Sequence, residues 1–256
     1  HTRWPNALLQ VNHPRSSAFG YFQKLGYDPD KGTFKAKASW SPSFDTLEVF
    51  NEFGWDVRKD KSVKDWFSML DRGLILTATG NSDSHAVYKH EVGYPRTCVK
   101  VGTDDPAKLV PSAFVAAMRK QQAVVMGGAF ISATAGGKGM GEVVSTTGGK
   151  VSLDIKVQAP LWVDINKLMV IRGGKTGGDT VKTVTLDKST ASPTDPTIRY
   201  QNKVEVTAAK DTWVVVVAVG TKKLAPVVVD KQPFGATNPI FIDADGDGKY
   251  TAPSSF

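Results

Sequence analysis

The sequence predicts an α/β region followed by an all-β region, and two observations lead to this fold class. At roughly 150 residues per domain, 256 residues are enough for two domains. Residues 1–122 contain 16 of the 24 aromatic residues and 10 valines, whereas residues 123–256 contain 8 aromatic residues and 20 valines. The hydrophobic pattern changes at the same point, from strand-like runs alternating with helical stretches to alternation with a period of two. We therefore predict one domain at 1–122 and a second at 123–256.

In the first domain, short β-like runs at 8–11, 47–50, 74–79 and 97–101 alternate with helical patterns at 62–72 and 105–122. Val63, Trp66, Phe67 and Leu70 have helical spacing, and Gly73 follows as a stop signal. Such alternation is typical of βα units that form a parallel sheet or barrel. Residues 20–42 have no clear period and are predicted to form a long loop.

The second domain begins with a clear half-buried strand at 151–157, in which apolar and polar residues alternate. Further β-like runs occupy 163–171, 181–186, 197–206 and 213–219, separated by Gly-Gly and Ser-Pro turn signals. Regularly spaced strands with turns between them predict a β-sandwich, immunoglobulin-like in outline.

Composition excludes several classes of protein. The longest apolar runs are far shorter than the roughly 20 residues that cross a bilayer, so no membrane span is expected. The net charge of +7 is spread evenly along the chain and forms no basic stripe for nucleic acid. A single cysteine, Cys98, cannot form an internal disulfide.

Two histidines stand in settings that suit metal binding. Asp83-Ser84-His85 follows a β-run, and in an extended segment residues i and i+2 point the same way, so a carboxylate and an imidazole can converge on one ion. His13 also follows a β-run and precedes Pro14, at the kind of strand end where barrel enzymes place functional residues. The alternative for His13 is a hydrogen-bonded histidine that ends a strand.

Five motifs occur in an order that is known from one protein family. They are Val11-Asn12-His13-Pro14-Arg15, Gly20-Tyr21-Phe22, Phe44-Asp45-Thr46-Leu47-Glu48-Val49-Phe50-Asn51, Thr79-Gly80-Asn81-Ser82-Asp83-Ser84-His85 and Gly93-Tyr94-Pro95-Arg96-Thr97. This succession resembles the C-terminal portion of CehA/McbA-type metallohydrolases of the PHP superfamily, and the resemblance continues to residue 248.

The resemblance implies a distorted βα barrel whose strand ends bind two or three divalent transition-metal ions (Zn, Mn or Fe) and hydrolyse phosphate or carboxylic and carbamic esters of small molecules. It assigns His13, Asp83 and His85 as metal ligands. The residues that would orient or neutralise the substrate are Arg15, Arg96, Asn12, Asn51 and Asn81. Glu48 is either an acceptor behind the metal ligands or a solvent-facing strand carboxylate.

The family pattern is incomplete in this chain. PHP enzymes begin with a His-x-His strand and supply further His, Asp and Glu ligands, and these have no counterpart before His13. A multi-ion hydrolytic centre needs more than three ligands. We therefore expect a partial barrel that is inactive without its missing N-terminal half or an oligomeric partner, with His1 at a truncation or processing point. His1 and His90 are expected not to bind metal, and a secreted or periplasmic location is expected.

A second metal signal lies near residue 243. Asp243, Asp245 and Asp247 fit positions 1, 3 and 5 of an EF-hand-type calcium loop, with Gly at position 6, the Lys249 carbonyl at 7 and Thr251 at 9. Position 12 is serine instead of glutamate, so a carboxylate-rich turn held by its own hydrogen bonds is the alternative. For the whole protein, the alternative to a hydrolase is a non-catalytic secreted binding or scaffold protein.

Overall fold

The computed structural model describes residues 6–88, 91–174 and 177–256, and the chain is mostly β. His1 and His90 lie outside the described residues. The helices are α1 (Tyr21–Leu25), α2 (Trp55–Arg58), α3 (Ser62–Leu70) and α4 (Pro111–Arg119), with 3-10 turns at Lys37–Ser39 and Pro106–Lys108. The strands are β1 (Gln10–Val11), β2 (Tyr27–Asp28), β3 (Thr33–Phe34), β4 (Thr46–Asn51), β5 (Thr77–Asn81), β6 (Arg96–Val99), β7 (Ala123–Gly127), β8 (Phe130–Ala135), β9 (Val143–Ser145), β10 (Lys150–Gln158), β11 (Lys167–Arg172), β12 (Asp179–Thr185), β13 (Ile198–Thr207), β14 (Thr212–Val219), β15 (Phe234–Thr237) and β16 (Ile240–Asp243).

A three-stranded parallel sheet, in the order β1-β4-β5, forms the first layer. Both faces of β4 are buried, which is usual for parallel strands because connecting segments cover them. Helix α3 packs against β4, and eight of its nine residues are buried. A helix that is covered on nearly all sides lies between two layers of a fold.

Residues 20–42 are more ordered than the predicted long loop. They contain α1, the short hairpin β2–β3 and a 3-10 turn, so this prediction is wrong. Their aromatic side chains explain the difference, because they pack on one another and supply a core that periodicity does not reveal. Phe34 stacks on Tyr27 and Trp40 with ring centroids 4.6 and 4.2 Å apart, and Phe22 is fully buried beneath them.

The central layer is an eight-stranded sheet. Its main path runs β12-β11-β14-β15-β7-β6, and β16 joins it by pairing with both β14 and β9. Strand β14 is buried along almost its whole length, because the sheet is covered on both faces. On one face, the Trp213 ring packs on Phe67 of α3 with centroids 4.6 Å apart.

A smaller antiparallel sheet, in the order β13-β10-β8, forms the third layer. Strand β10 is the predicted alternating strand, and Val151, Leu153, Ile155 and Val157 are buried while their neighbours are more exposed. These four side chains belong to the same core cluster as residues of the central sheet. The immunoglobulin-like outline stays a prediction.

Within the described residues the parallel strands do not form a barrel. Strand β1 pairs with β4 alone, and after β5 the chain turns into the antiparallel pair β6–β7. The junction between β5 and β6 depends on one side chain: Thr97 Oγ1 accepts from Gly80 N at 2.9 Å and donates to Gly80 O at 3.0 Å. The partial barrel expected from the sequence is therefore represented by a three-stranded sheet.

Strand pairing and core packing continue across the predicted domain boundary at 122/123. Strands β6 and β7 lie on opposite sides of it and pair with each other. Asp71, which is 6% exposed, accepts hydrogen bonds from Trp213 Nε1 and Gly174 N, both at 2.8 Å. Asn238 is fully buried and bonds both backbone groups of Ala78 on β5. The two ranges share one core.

Candidate metal centre

The carboxyl ends of the three parallel strands carry most of the residues that the sequence singles out. His13 follows β1, Asn51 ends β4, and Asn81 ends β5 just before Asp83. Parallel strands bring their carboxyl ends to one edge of a sheet, where ligands of open α/β sheets usually bind. Residues that are about 70 positions apart in the chain thereby become neighbours.

A bulge in β4 sets which side chains face this edge. Glu48 pairs with Thr79 and Phe50 with Gly80, so β4 has one more residue than β5 between these positions. The extra residue re-aims the strand, which is a common use of bulges beside functional sites. As a result Asn51 lies directly opposite Asn81 in the register.

Glu48 lies behind His13 and holds it. Its carboxylate is 2% exposed, so the solvent-facing alternative for Glu48 is wrong. Oε2 accepts from His13 N at 2.6 Å and lies 3.0 Å from His13 Nδ1, while Oε1 accepts from Asn81 Nδ2 at 2.9 Å. A carboxylate beside Nδ1 is commonly found behind metal-bound histidines, where it directs Nε2 outward.

Asp83 lies between the two histidines. Its Oδ1 is 3.8 Å from His13 Nε2 and 2.9 Å from His85 Nε2. Burial disfavours the charged carboxylate, but hydrogen bonds with Asn51 and His85 and the charges of both histidines outweigh it and hold the pKa of Asp83 below its usual value. A carboxylate that stays ionised is a good metal ligand.

The backbone at the site is strained. His13 has φ 46°, Glu52 has φ 60° and Asp83 has φ 50°, all in the left-handed region that favours glycine. The described residues contain only two other non-glycine positions of this kind, Gln121 and Asp230. Strained residues cluster where function requires a particular geometry. The turn after His13 also needs Gly20, because a Cβ there would lie 2.7 Å from the His13 carbonyl oxygen.

The three predicted ligands fit one ion only in part. Metal bonds of about 2.1 Å can bridge ligand atoms up to about 4.2 Å apart, so His13 and Asp83 can share an ion. The ligand atoms of His13, Asp83 and His85 do not all lie within 4.8 Å of one another. Among the described residues, only Asp211, Asp243 and Asp245 offer three ligand atoms that close together. The His85 side chain is 72% exposed, and its Nε2 bonds Asp83 Oδ1 at 2.9 Å.

Arg58 belongs to this site although the sequence does not single it out. Its Nε donates to the Asn51 carbonyl at 3.1 Å, and Nη2 donates to the same oxygen and lies 3.2 Å from Asn51 Oδ1. The Asn51 amide in turn lies 3.1 Å from His13 Nδ1. Helix α2 begins four residues after β4 ends, and this short connection places the Arg58 guanidinium beside the end of β4. The closeness of Arg58 to β4 in the sequence is the signal from which its place at the site could have been predicted.

The predicted substrate residues outside this cluster have other partners. Arg15 makes a two-pronged contact with the fully buried Asp65, with Nε donating to Oδ2 at 2.7 Å, and also donates to the Tyr27 carbonyl. Its guanidinium is therefore committed to holding α3. Arg96 is exposed and donates to the Gly93 carbonyl at 3.2 Å, and Asn12 accepts from Gln10 at 2.8 Å.

The acidic loop forms a separate cluster. Asp243, Asp245 and Asp211 offer carboxylate oxygens within 4.8 Å of one another, and Asp211 comes from the turn before β14, which the motif does not include. The Asp243 carboxylate accepts from Ser145 Oγ at 2.7 Å and from two loop N–H groups, and these bonds hold its pKa low.

The rest of this loop is held in the same way. Asp247 accepts from Lys249 N at 2.8 Å, and Thr251 N donates to Asp211. Ser254, at position 12 of the motif, turns away and donates to the Asp71 carbonyl at 2.9 Å. Each of these carboxylates accepts at least one loop N–H, and calcium binding stays a prediction.

No helix among the described residues has the length and apolar content needed to span a bilayer. A scan against protein-family models and a search of curated proteins each found no match. The features of the chain that bear on function are the side chains at the strand ends and the motif resemblance.

Proposed function

We propose that the chain carries part of the metal centre of a hydrolase that cleaves phosphate or carboxylic and carbamic esters, in a protein that is secreted or periplasmic. The observation that carries the proposal is the buried Glu48 carboxylate behind His13, which directs Nε2 of that histidine toward Asp83. A carboxylate placed behind a partly exposed imidazole is an arrangement that metal sites commonly use.

His13, Asp83 and His85 would hold the ion. A bound Zn, Mn or Fe ion would supply a nucleophilic water at neutral pH and polarise the ester. Glu48 supports His13 through the His13 backbone N–H, and Asn51, held by Arg58, supports Asp83. The remaining ligands and the rest of the barrel would come from a preceding N-terminal half or from an oligomeric partner, which would pair with the edge strand β1.

Zinc titration of the 256-residue chain tests this proposal. We expect one equivalent to bind, with affinity at least about tenfold weaker in His13→Ala and Asp83→Ala, as is usual for loss of a ligand or its support. Asp154→Asn is the matched control, because it removes an exposed carboxylate on β10 and should leave zinc binding unchanged.

Two further measurements separate function from folding. Asp83→Ala and His85→Ala should change the melting temperature little beyond the loss of metal binding, because both side chains lie at the surface of the site. Both should abolish ester hydrolysis in the full-length protein. Zinc affinity that is the same in the wild type, His13→Ala and Asp83→Ala would contradict the proposal and favour a non-catalytic binding or scaffold protein.

A further inference from the structure

Two cations meet on one aromatic ring beside the candidate metal centre. Arg58 Cζ lies 5.5 Å and Lys231 Nζ lies 3.9 Å from the centroid of Phe53, within the range of cation–π contacts. Arg58 belongs to α2, and Lys231 lies just before β15, so separate parts of the chain build the cluster. The Lys231 side chain is only 12% exposed.

These cations have little direct compensation. Among the described residues Arg58 makes no ion pair within 4.0 Å, and its Nη1 donates no hydrogen bond. Lys231 has one carboxylate neighbour, the half-exposed Glu52, at 3.6 Å. Arginine and lysine are seldom withdrawn from water without close partners. Arg15 shows the usual arrangement, since both oxygens of Asp65 bind it.

The burial of the Arg58 guanidinium is consistent with a cation that has no close carboxylate partner. Burial lowers the pKa of its guanidinium, against the opposing charges of Glu48, Glu52 and Asp83. Donors of Arg58 therefore remain available to an anion beside the Lys231 ammonium, with or without an ion at the strand ends.

We propose that Arg58 and Lys231 form an anion subsite beside Phe53 that receives an anionic oxygen group, phosphoryl or carboxylate, of a bound molecule. Arginine suits such a group because its planar fork matches two oxygens, and lysine adds a point charge. The identification of this molecule as the substrate rests on the proposed function. Anion binding by the two cations does not.

Titration with inorganic phosphate and with acetate, in EDTA, tests the subsite. We expect the wild type to bind at least one of them, and the tighter one indicates whether the natural group is phosphoryl or carboxylate. Arg58→Gln should weaken that binding at least about tenfold, the size expected for losing a charge-assisted hydrogen bond. Lys231→Gln should weaken it in the same direction. Lys182→Gln, which removes an exposed charge on β12, should change nothing.

Lys231→Gln also guards against a folding artefact, because the Lys231 ammonium, unlike Arg58, does not bond Asn51. Neither anion binding to the wild type, or equal binding by the wild type and both variants, would overturn the subsite. Zinc titration of the same samples separates the two proposals. If anion binding depends on Arg58 but the chain does not bind zinc, the anion subsite is supported and the metal centre is refuted. If the chain binds zinc but anion binding does not depend on Arg58, the metal centre is supported and the anion subsite is refuted.

Discussion

Replacing Glu48 with glutamine removes the charge behind His13 without changing the size of the side chain. The carboxylate accepts one hydrogen bond from His13 N and one from Asn81 Nδ2, and it lies 3.0 Å from His13 Nδ1 in a position that is 2% exposed. A glutamine amide can keep the bond from His13 N only by presenting its NH2 group to the Asn81 amide. At least one bond to a charged acceptor is then lost, which costs about 2 kcal/mol.

For a chain of this size that cost lowers the melting temperature by about 4–8 °C. Zinc affinity should fall by about 10–100-fold, because the charge of the carboxylate behind His13 is lost. Thermal melts followed by circular dichroism and zinc calorimetry measure the two effects. Glu205→Gln is the matched control, since Glu205 is exposed on β13. Glu48→Gln with the same melting temperature and zinc affinity as this control would refute the orientation of His13 by Glu48.

Three further predictions concern stability. Trp213→Phe removes the donor to Asp71 and should lower the free energy of unfolding by about 2 kcal/mol in urea titration, and an unchanged midpoint would contradict this. Calcium should raise the melting temperature of the wild type but not of Asp243→Asn, and identical wild-type melts in calcium and EDTA would exclude the calcium loop. Burial opposes ionisation of Asp164, but hydrogen bonds from Lys222 and Thr221 outweigh burial and lower the pKa of Asp164. The ionised carboxylate therefore stabilises the fold fully at pH above its ordinary pKa of 3.8, and this stabilisation is lost as the pH falls from 3.8 through the lowered pKa. The stability difference between wild type and Asp164→Asn should therefore shrink in acid, and a difference that grows there would contradict this assignment.

Regular elements and the meeting of distant motifs were predictable from the sequence. Apolar spacing located β4, α3, β10 and β14 to within a few residues, because burial on one or both faces leaves a periodic pattern. The approach of His13 to Asp83 follows from parallel strands whose carboxyl ends share an edge.

Features that depend on long-range partners were not predictable. The sequence does not show which partner an arginine has. Arg15 forms an ion pair with Asp65, 50 positions away, whereas Arg58 donates a hydrogen bond to Asn51 at the site. Asp211 joins the acidic cluster from a separate turn. Over residues 6–88 and 91–174, the partial barrel expected from the resemblance is represented by three parallel strands, since β6 pairs antiparallel with β7.

The hydrogen bonds that tie the layers together have a consequence for how the chain folds. Asn238 contacts Ala78 across 160 positions, and Trp213 contacts Asp71 across 142. Contacts this distant in sequence are gained only after large loops have closed, so they slow folding. During synthesis the parallel strands would wait, with their apolar faces uncovered, until β14 and β15 leave the ribosome. Chaperone demand and aggregation should therefore depend on translation of the last quarter of the chain.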